Sequence, residues 1–241
     1  MLVYGTGMYI MEKTSGDTKA SRSPLAFFFY FLGLTNLMFN WGHHTYIVPA
    51  APWVKTVAYV ISMTELLILA HLIYQWRKTM RGARKNYHIL PYRFLSFADA
   101  WIILNLTLAL AISVPAWNYY THGTHITVAH AMGSTIGINT MILFASVFFI
   151  VQTENSGMIE KRKIFLGKNL WFTNISLLIF WISMFAMGIL KISGKLNNQA
   201  FQSIMEKSRN FFNLFTYSGV LVMTGLSLLV WFAVISLSGR K

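Results

Sequence analysis

The chain has 241 residues and no cysteine, is 55% hydrophobic and only 11% charged, and carries a formal net charge of +13. Its mean hydropathy of +0.51 excludes an ordinary soluble domain, for which a charged fraction of about 25% is usual. The absent cysteines exclude disulfides, thiolate zinc sites and iron–sulfur clusters, and the basic residues lie mostly between apolar runs, as topology signals do and nucleic-acid footprints do not.

The amino-terminal run Leu2–Met11 is apolar and ends at Glu12-Lys13. It is too short to span, and its positive charge follows the apolar part, where a signal peptide would carry it before. Residues 1–22 therefore read as the last turns of a preceding helix plus a cytoplasmic linker, and the chain as a fragment or half of a larger protein. Six stretches then match the roughly 20 apolar residues that a bilayer requires: Pro24–Trp41, Val57–Trp76, Phe94–Pro115, Thr124–Val151, Asn169–Ile192 and Phe211–Ser238. β-Barrel strands would be about half as long and would alternate strictly. Residues 23–241 are expected to form one all-α, polytopic membrane bundle of six transmembrane helices.

Basic residues set the expected orientation. Lys13, Lys19 and Arg22 precede the first span, Arg77 to Arg93 fill the second connection, Lys161 to Lys168 the fourth, and Arg240 and Lys241 end the chain. The positive-inside rule then places both termini in the cytoplasm. His43, His44, His122 and His125 fall toward the outer surface, with His130 about 10 Å deeper at 1.5 Å per residue.

Imidazole in or beside a membrane helix is a functional-site candidate and the commonest metal and haem-iron ligand. His43 and His44 end the first span, where a helix end running into a loop can turn both rings toward one ion. Two imidazoles underfill a metal site, so a third ligand is required; two interfacial histidines bonded to water are the structural alternative. His130 lies inside the fourth span, and Met132, about 200° further round, points to the opposite face as a second ligand or as ordinary packing. Glu65 is the one carboxylate near the middle of a span. A charge there costs on the order of 3 kcal/mol, so it should be protonated, paired or facing water, which suits a proton relay. Asp99 is expected to pair with Arg93 or face solvent, and His71 and His88 to be structural. Gly123, Gly133 and Gly137 leave room for a helix or a flat macrocycle.

Gly42-His43-His44-Thr45-Tyr46, Glu65 in the next span, and Asn118-Tyr119-Tyr120-Thr121-His122-Gly123-Thr124 leading into Ala129-His130 together resemble the catalytic subunit of bacterial nitric oxide reductases, in the haem-copper oxidase superfamily. The order fits the carboxy-terminal half, helices seven to twelve of a twelve-helix fold. The resemblance implies that His43 and His44 bind the non-haem iron (copper in an oxidase), and that His130 is the axial ligand of a high-spin haem b. It makes Glu65 the carboxylate of proton supply and puts Met132 where the family usually has a histidine for a low-spin haem. It also implies an amino-terminal half or partner subunit supplying the missing ligands, cytochrome c or quinol as electron donor, a bacterial inner membrane location and no nucleic acid. A terminal oxygen reductase, a nitric oxide dismutase relative and a non-catalytic haem-binding fragment are the alternatives. A transporter is disfavoured by the lack of internal repeats or paired broken helices.

Overall fold

The computed structural model describes residues 3–15, 23–71, 74, 90–154 and 156–238. Lys19, Arg22, His88, Arg240, Lys241 and the basic residues from Arg77 to Lys85 lie outside these. Among the described residues all regular structure is helical, and six helices are long and apolar enough to cross a membrane: Pro24–Thr45, Pro52–His71, Leu90–Ser113, His125–Glu154, Ile159–Leu196 and Phe201–Ser238.

A short helix α1 (Met8–Ser15), entered through a π-helical turn at Val3–Gly7, precedes them. Its Ile10 is 1% exposed and belongs to the main apolar cluster, so this segment packs as part of the bundle. The first span is α2 (Pro24–Phe39), whose start is capped by Ser23 Oγ accepting from the Ala26 amide at 3.1 Å. It tightens into a 3₁₀ turn, Asn40–Thr45, closed by Thr45 Oγ1 donating to the Gly42 carbonyl. A side chain at Gly42 would collide with Ala58 of the next span, and this glycine sets the close approach of the two.

Helix α3 (Pro52–Met63) has Pro in its first turn, where the missing amide is harmless. It breaks at Thr64, whose hydroxyl donates to the Ile61 carbonyl at 2.6 Å, and residues 65–71 continue helically. A Thr hydroxyl taking a carbonyl out of the ladder is a recognised cause of such breaks.

Helix α4 (Leu90–Ser113) ends just before Val114-Pro115, as the restriction on a residue preceding proline requires. The short α5 (Pro115–Thr121) follows and is tied back by Asn118 Nδ2 donating to the Ile112 carbonyl at 2.9 Å. Gly123, at φ +69°, makes the turn that a side chain would strain. Thr124 then caps α6 (His125–Met132) by accepting from the Ile126 amide. The same span continues through a π-helical stretch, Gly133–Thr140, into α7 (Met141–Glu154).

The last two helices, α8 (Ser156–Leu196) and α9 (Phe201–Ser238), form the most extensive helix pair. At 1.5 Å per residue α8 is about 60 Å long, more than a bilayer with its headgroups. Lys161, Arg162, Lys163 and Lys168, expected in a connection, therefore belong to its first turns. Lys163 meets Glu160 at 3.3 Å on this exposed face.

The core lies between α4, α6–α7, α8 and α9. One cluster stacks Phe94 on Phe148 at 5.2 Å with Met141 and Leu170; the other joins Trp101, Ile126, Leu177 and Trp181. In their most apolar stretches 24% and 28% of the first two spans is buried, against 44% of α4 and 28% of α9. The first two spans and α9 present most of their surface outward.

The glycines of the fourth span serve helix packing. Gly137 faces the Trp101 indole and Gly133 faces Asn105 and Trp181, each too close for a Cβ. Asp99 lies part-buried beside Tyr92, and the Arg93 guanidinium reaches across to Gly167 of α8. His71 stacks on Phe29 at 3.8 Å, a structural contact between the first two spans.

Candidate functional site

The site lies at the end of the bundle where α2 finishes, α5 turns into α6 and α8 ends. His43 is buried at 6% exposure and His44 is exposed, with ring centroids 4.4 Å apart and planes tilted by 42°. The rings approach this closely although successive residues of a 3₁₀ turn diverge by about 120°, against about 100° in an α-helix. His44 Nδ1 lies 3.3 Å from Nε2 of His122, 78 positions along the chain. His43 is within electrostatic reach of His44, His122 and His130, and His130 of His44. The turn at Gly123 makes this possible, because it lets α5 deliver His122 and α6 deliver His130 to the same region. Lys191 secures that turn by donating to the Gly123 carbonyl at 2.9 Å.

His122 is the residue that the sequence did not single out beyond its place near the surface. The run Tyr120-Thr121-His122-Gly123-Thr124 was the available signal, but the partner of His122 is not local. Among the described residues no three His, Cys, Asp or Glu side chains converge as a metal-binding group. His43 and His44 are thus brought together with His122, and still fall short of a closed metal site.

His130 lies on α6, part-exposed, close to the backbone of Asn105 on α4. Its Nδ1 is buried without a hydrogen bond. Met132, on the other face, packs against the cluster of Trp101, Leu177 and Trp181. Glu65 is 6% exposed and immediately follows the break at Thr64. Asn36 Nδ2 donates to Thr64 Oγ1 at 2.8 Å, which puts Glu65 level with Asn36. Along α2 the backbone of Asn36 lies seven residues before that of His43, roughly 10–12 Å at α and 3₁₀ rises.

Tyr46 follows the histidine turn. Burial, with Tyr59 alongside, raises its phenol to about 12 from the ordinary value of 10.0, and its buried hydroxyl oxygen makes no hydrogen bond. An unfolded chain ionises this phenol near 10. The contribution to stability is accordingly complete below pH 10 and lost as pH rises from 10 toward 12. We expect ultraviolet titration to show a late-ionising phenol that is lost in Tyr46→Phe; an unchanged titration in that variant would assign the late ionisation elsewhere.

Residues 1–236 match the family described as Cytochrome C and Quinol oxidase polypeptide I. Similar proteins include cytochrome c oxidase subunit 1 of Alkalihalophilus pseudofirmus, 23% identical over 191 residues. The probable cytochrome c oxidase subunit 1 of Bradyrhizobium diazoefficiens is 25% identical over 159 residues. The alignments cover 79% and 66% of this chain but only 29% and 23% of those relatives, so the chain spans about a quarter of their length. The chain belongs to the cytochrome c and quinol oxidase polypeptide I family, subunit I of the haem-copper oxidases, and its six apolar helices make it an integral membrane protein.

That family implies haem and a second metal, and the donor chemistry fits both. His130 offers an imidazole within a span, the residue type that holds haem iron. His43 and His44, with ring centroids 4.4 Å apart, offer two further imidazoles, the residue type that holds a first-row metal. The place next to Met132 fits less well. Gly133 is already closed by Asn105 and Trp181, leaving no flat cradle beside the thioether.

Proposed function

We propose that this chain is the carboxy-terminal half of a nitric-oxide-reductase-like catalytic subunit. The observation that supports this reading is the gathering of His43, His44, His122 and His130 at one end of the bundle, with Glu65 buried on the adjoining span. The motif from Asn118 to Thr124 and the position of Glu65 favour the reductase side. Two nitric oxide molecules, two protons and two electrons give nitrous oxide and water, and bound haem and non-haem iron would supply the electron-transfer and substrate-binding chemistry.

The residues of the chain divide that work. His43 and His44 hold the non-haem metal, and His122 fixes the His44 ring. His130 would hold the iron of a high-spin haem b. Glu65 holds a proton on its way to the site. Further ligands come from an amino-terminal half or partner subunit, for which the outward faces of α2 and α3 offer apolar surface. Cytochrome c or quinol is the electron donor, and both termini face the cytoplasm of a bacterial inner membrane.

The two relatives are named as cytochrome c oxidases, which favours oxygen as the alternative substrate. Metal analysis and gas consumption by the assembled protein separate the two. The reductase reading expects iron without copper and nitric oxide uptake; copper with oxygen uptake alone would replace it by the oxidase. In the same preparation, Glu65→Gln should lower turnover by one to two orders of magnitude, the usual range for a lost acid–base group. Substrate-independent haem reduction should stay normal.

Met132 belongs to the finer part of the reading. If its thioether binds a low-spin haem, Met132→His should lower that haem's potential, since methionine ligation raises it. An unchanged spectrum assigns Met132 to packing in the cluster that surrounds it.

A further inference from the structure

A cavity of about 420 Å³ opens at the histidine end, between the last turns of α8 and the first turns of α9. None of the four site histidines lines it. Its size lies within the range of small-molecule pockets. Met187, Ile204 and Phe212 give it apolar walls, Lys191 and Lys195 give it two cations, and no carboxylate lines it. Lys191 spends one of its three donors on the Gly123 carbonyl. The ammonium group of Lys195, an exposed residue, makes no hydrogen bond or ion pair among the described residues. His125, edge-on to Phe212 at 5.5 Å, also lines the cavity, and its buried Nδ1 has no hydrogen-bond partner.

An apolar chamber with a cationic margin selects an amphiphile of opposite charge. Neither a bare anion nor a neutral hydrocarbon satisfies both parts. A bare anion leaves Met187, Ile204 and Phe212 against water, and a hydrocarbon leaves the lysines and the His125 nitrogen unanswered. The position near the ends of two spans, where α8 passes from its apolar stretch to Lys191 and Lys195, is where phospholipid headgroups lie. Two ammonium groups beside an apolar wall attract an anionic head by charge at either leaflet.

We propose that this cavity binds one anionic phospholipid of the phosphatidylglycerol type. Its phosphate sits at Lys191 and Lys195, and an acyl chain runs along Met187, Ile204 and Phe212. The lipid wedges the α8–α9 turn against the base of α6, so the pocket is a structural site separate from the histidine cluster.

Native mass spectrometry of the full assembled protein, delipidated in neutral detergent, tests this with added phosphatidylglycerol, phosphatidylcholine or inorganic phosphate. Phosphatidylglycerol should be retained at one copy and preferred over phosphatidylcholine. Lys195→Ala should weaken it about fivefold, the attraction one basic side chain contributes near an anionic headgroup. Lys191→Ala/Lys195→Ala should abolish the preference. Met205→Trp, at the exposed rim with both lysines intact, should reduce retention of either lipid, whereas Lys161→Ala at the other end should change nothing. Because Lys191 also secures the Gly123 turn, the single Lys195 and Met205 variants keep the test independent of any folding defect. Equal retention of the two lipids, or a preference that survives both lysine changes, overturns the proposal. Displacement of the lipid by an equal concentration of inorganic phosphate would overturn it in favour of a simple anion site.

Discussion

His130→Ala is expected to remove the high-spin haem spectrum and all turnover from the assembled protein. The reason is positional. His130 is the imidazole within the α6–α7 span that lies within electrostatic reach of the His43–His44 pair. Its Nδ1 is buried without a hydrogen-bond partner among the described residues. On the proposed reading His130 would hold the haem iron, and its loss should lower spectrum and activity together. His130→Gly supplemented with imidazole should restore part of the spectrum, which a purely structural histidine would not allow. A variant that keeps both spectrum and turnover would remove His130 from the site. His43→Ala and His44→Ala should, by contrast, leave that haem spectrum in place while lowering the non-haem metal content.

Gly137→Leu is expected to have the largest effect on stability. Gly137 sits on the π-helical stretch of the fourth span with the Trp101 indole where a Cβ would stand, only 2.5 Å from its Cγ and Cδ2. A side chain there must push Trp101 away from α6–α7. Trp101 Nε1 donates to Asn174 Oδ1 of α8 at 2.9 Å in a buried setting, and that bond would break as the ring moves. Overpacking costs about 1–3 kcal/mol, and a buried polar group left unsatisfied about as much again, so a combined loss of roughly 2–5 kcal/mol is expected. Thermal unfolding in detergent should detect it as a clearly lower midpoint for Gly137→Leu and a smaller decrease for Gly137→Ala. Equal stability of Gly137→Leu and the parent would show that the α4–α7 interface is looser than the structure depicts.

The membrane spans were legible because hydropathy is a local property, but their ends were not. The fourth connection reads as a basic loop from Lys161 to Lys168, yet these residues form the first turns of α8. Their charged heads can remain in water while the backbone continues its ladder. In the same way the charged stretch before Phe211 is helical from Phe201 onward. The break at Thr64 and the π-helical stretch after Met132 had no periodic signature, because each depends on how a neighbouring helix packs.

The sequence by itself determined that this is a six-span helical membrane bundle with imidazoles at one end and a carboxyl within a span, since residue type and apolar run length carry that information directly. It also carried the motifs of the haem-copper oxidase family. Only the tertiary structure decided which imidazoles meet. His44 and His122 are 78 residues apart, and their contact follows from the turn at Gly123 and the 3₁₀ ending of α2. It likewise decided that Thr64, beside Glu65, meets Asn36 of the first span, and that the space at Gly133 and Gly137 is filled by Asn105, Trp181 and Trp101. The physical reason is the same in each case: spacing along the chain fixes direction around one helix, whereas contact between helices depends on which side chains can interlock.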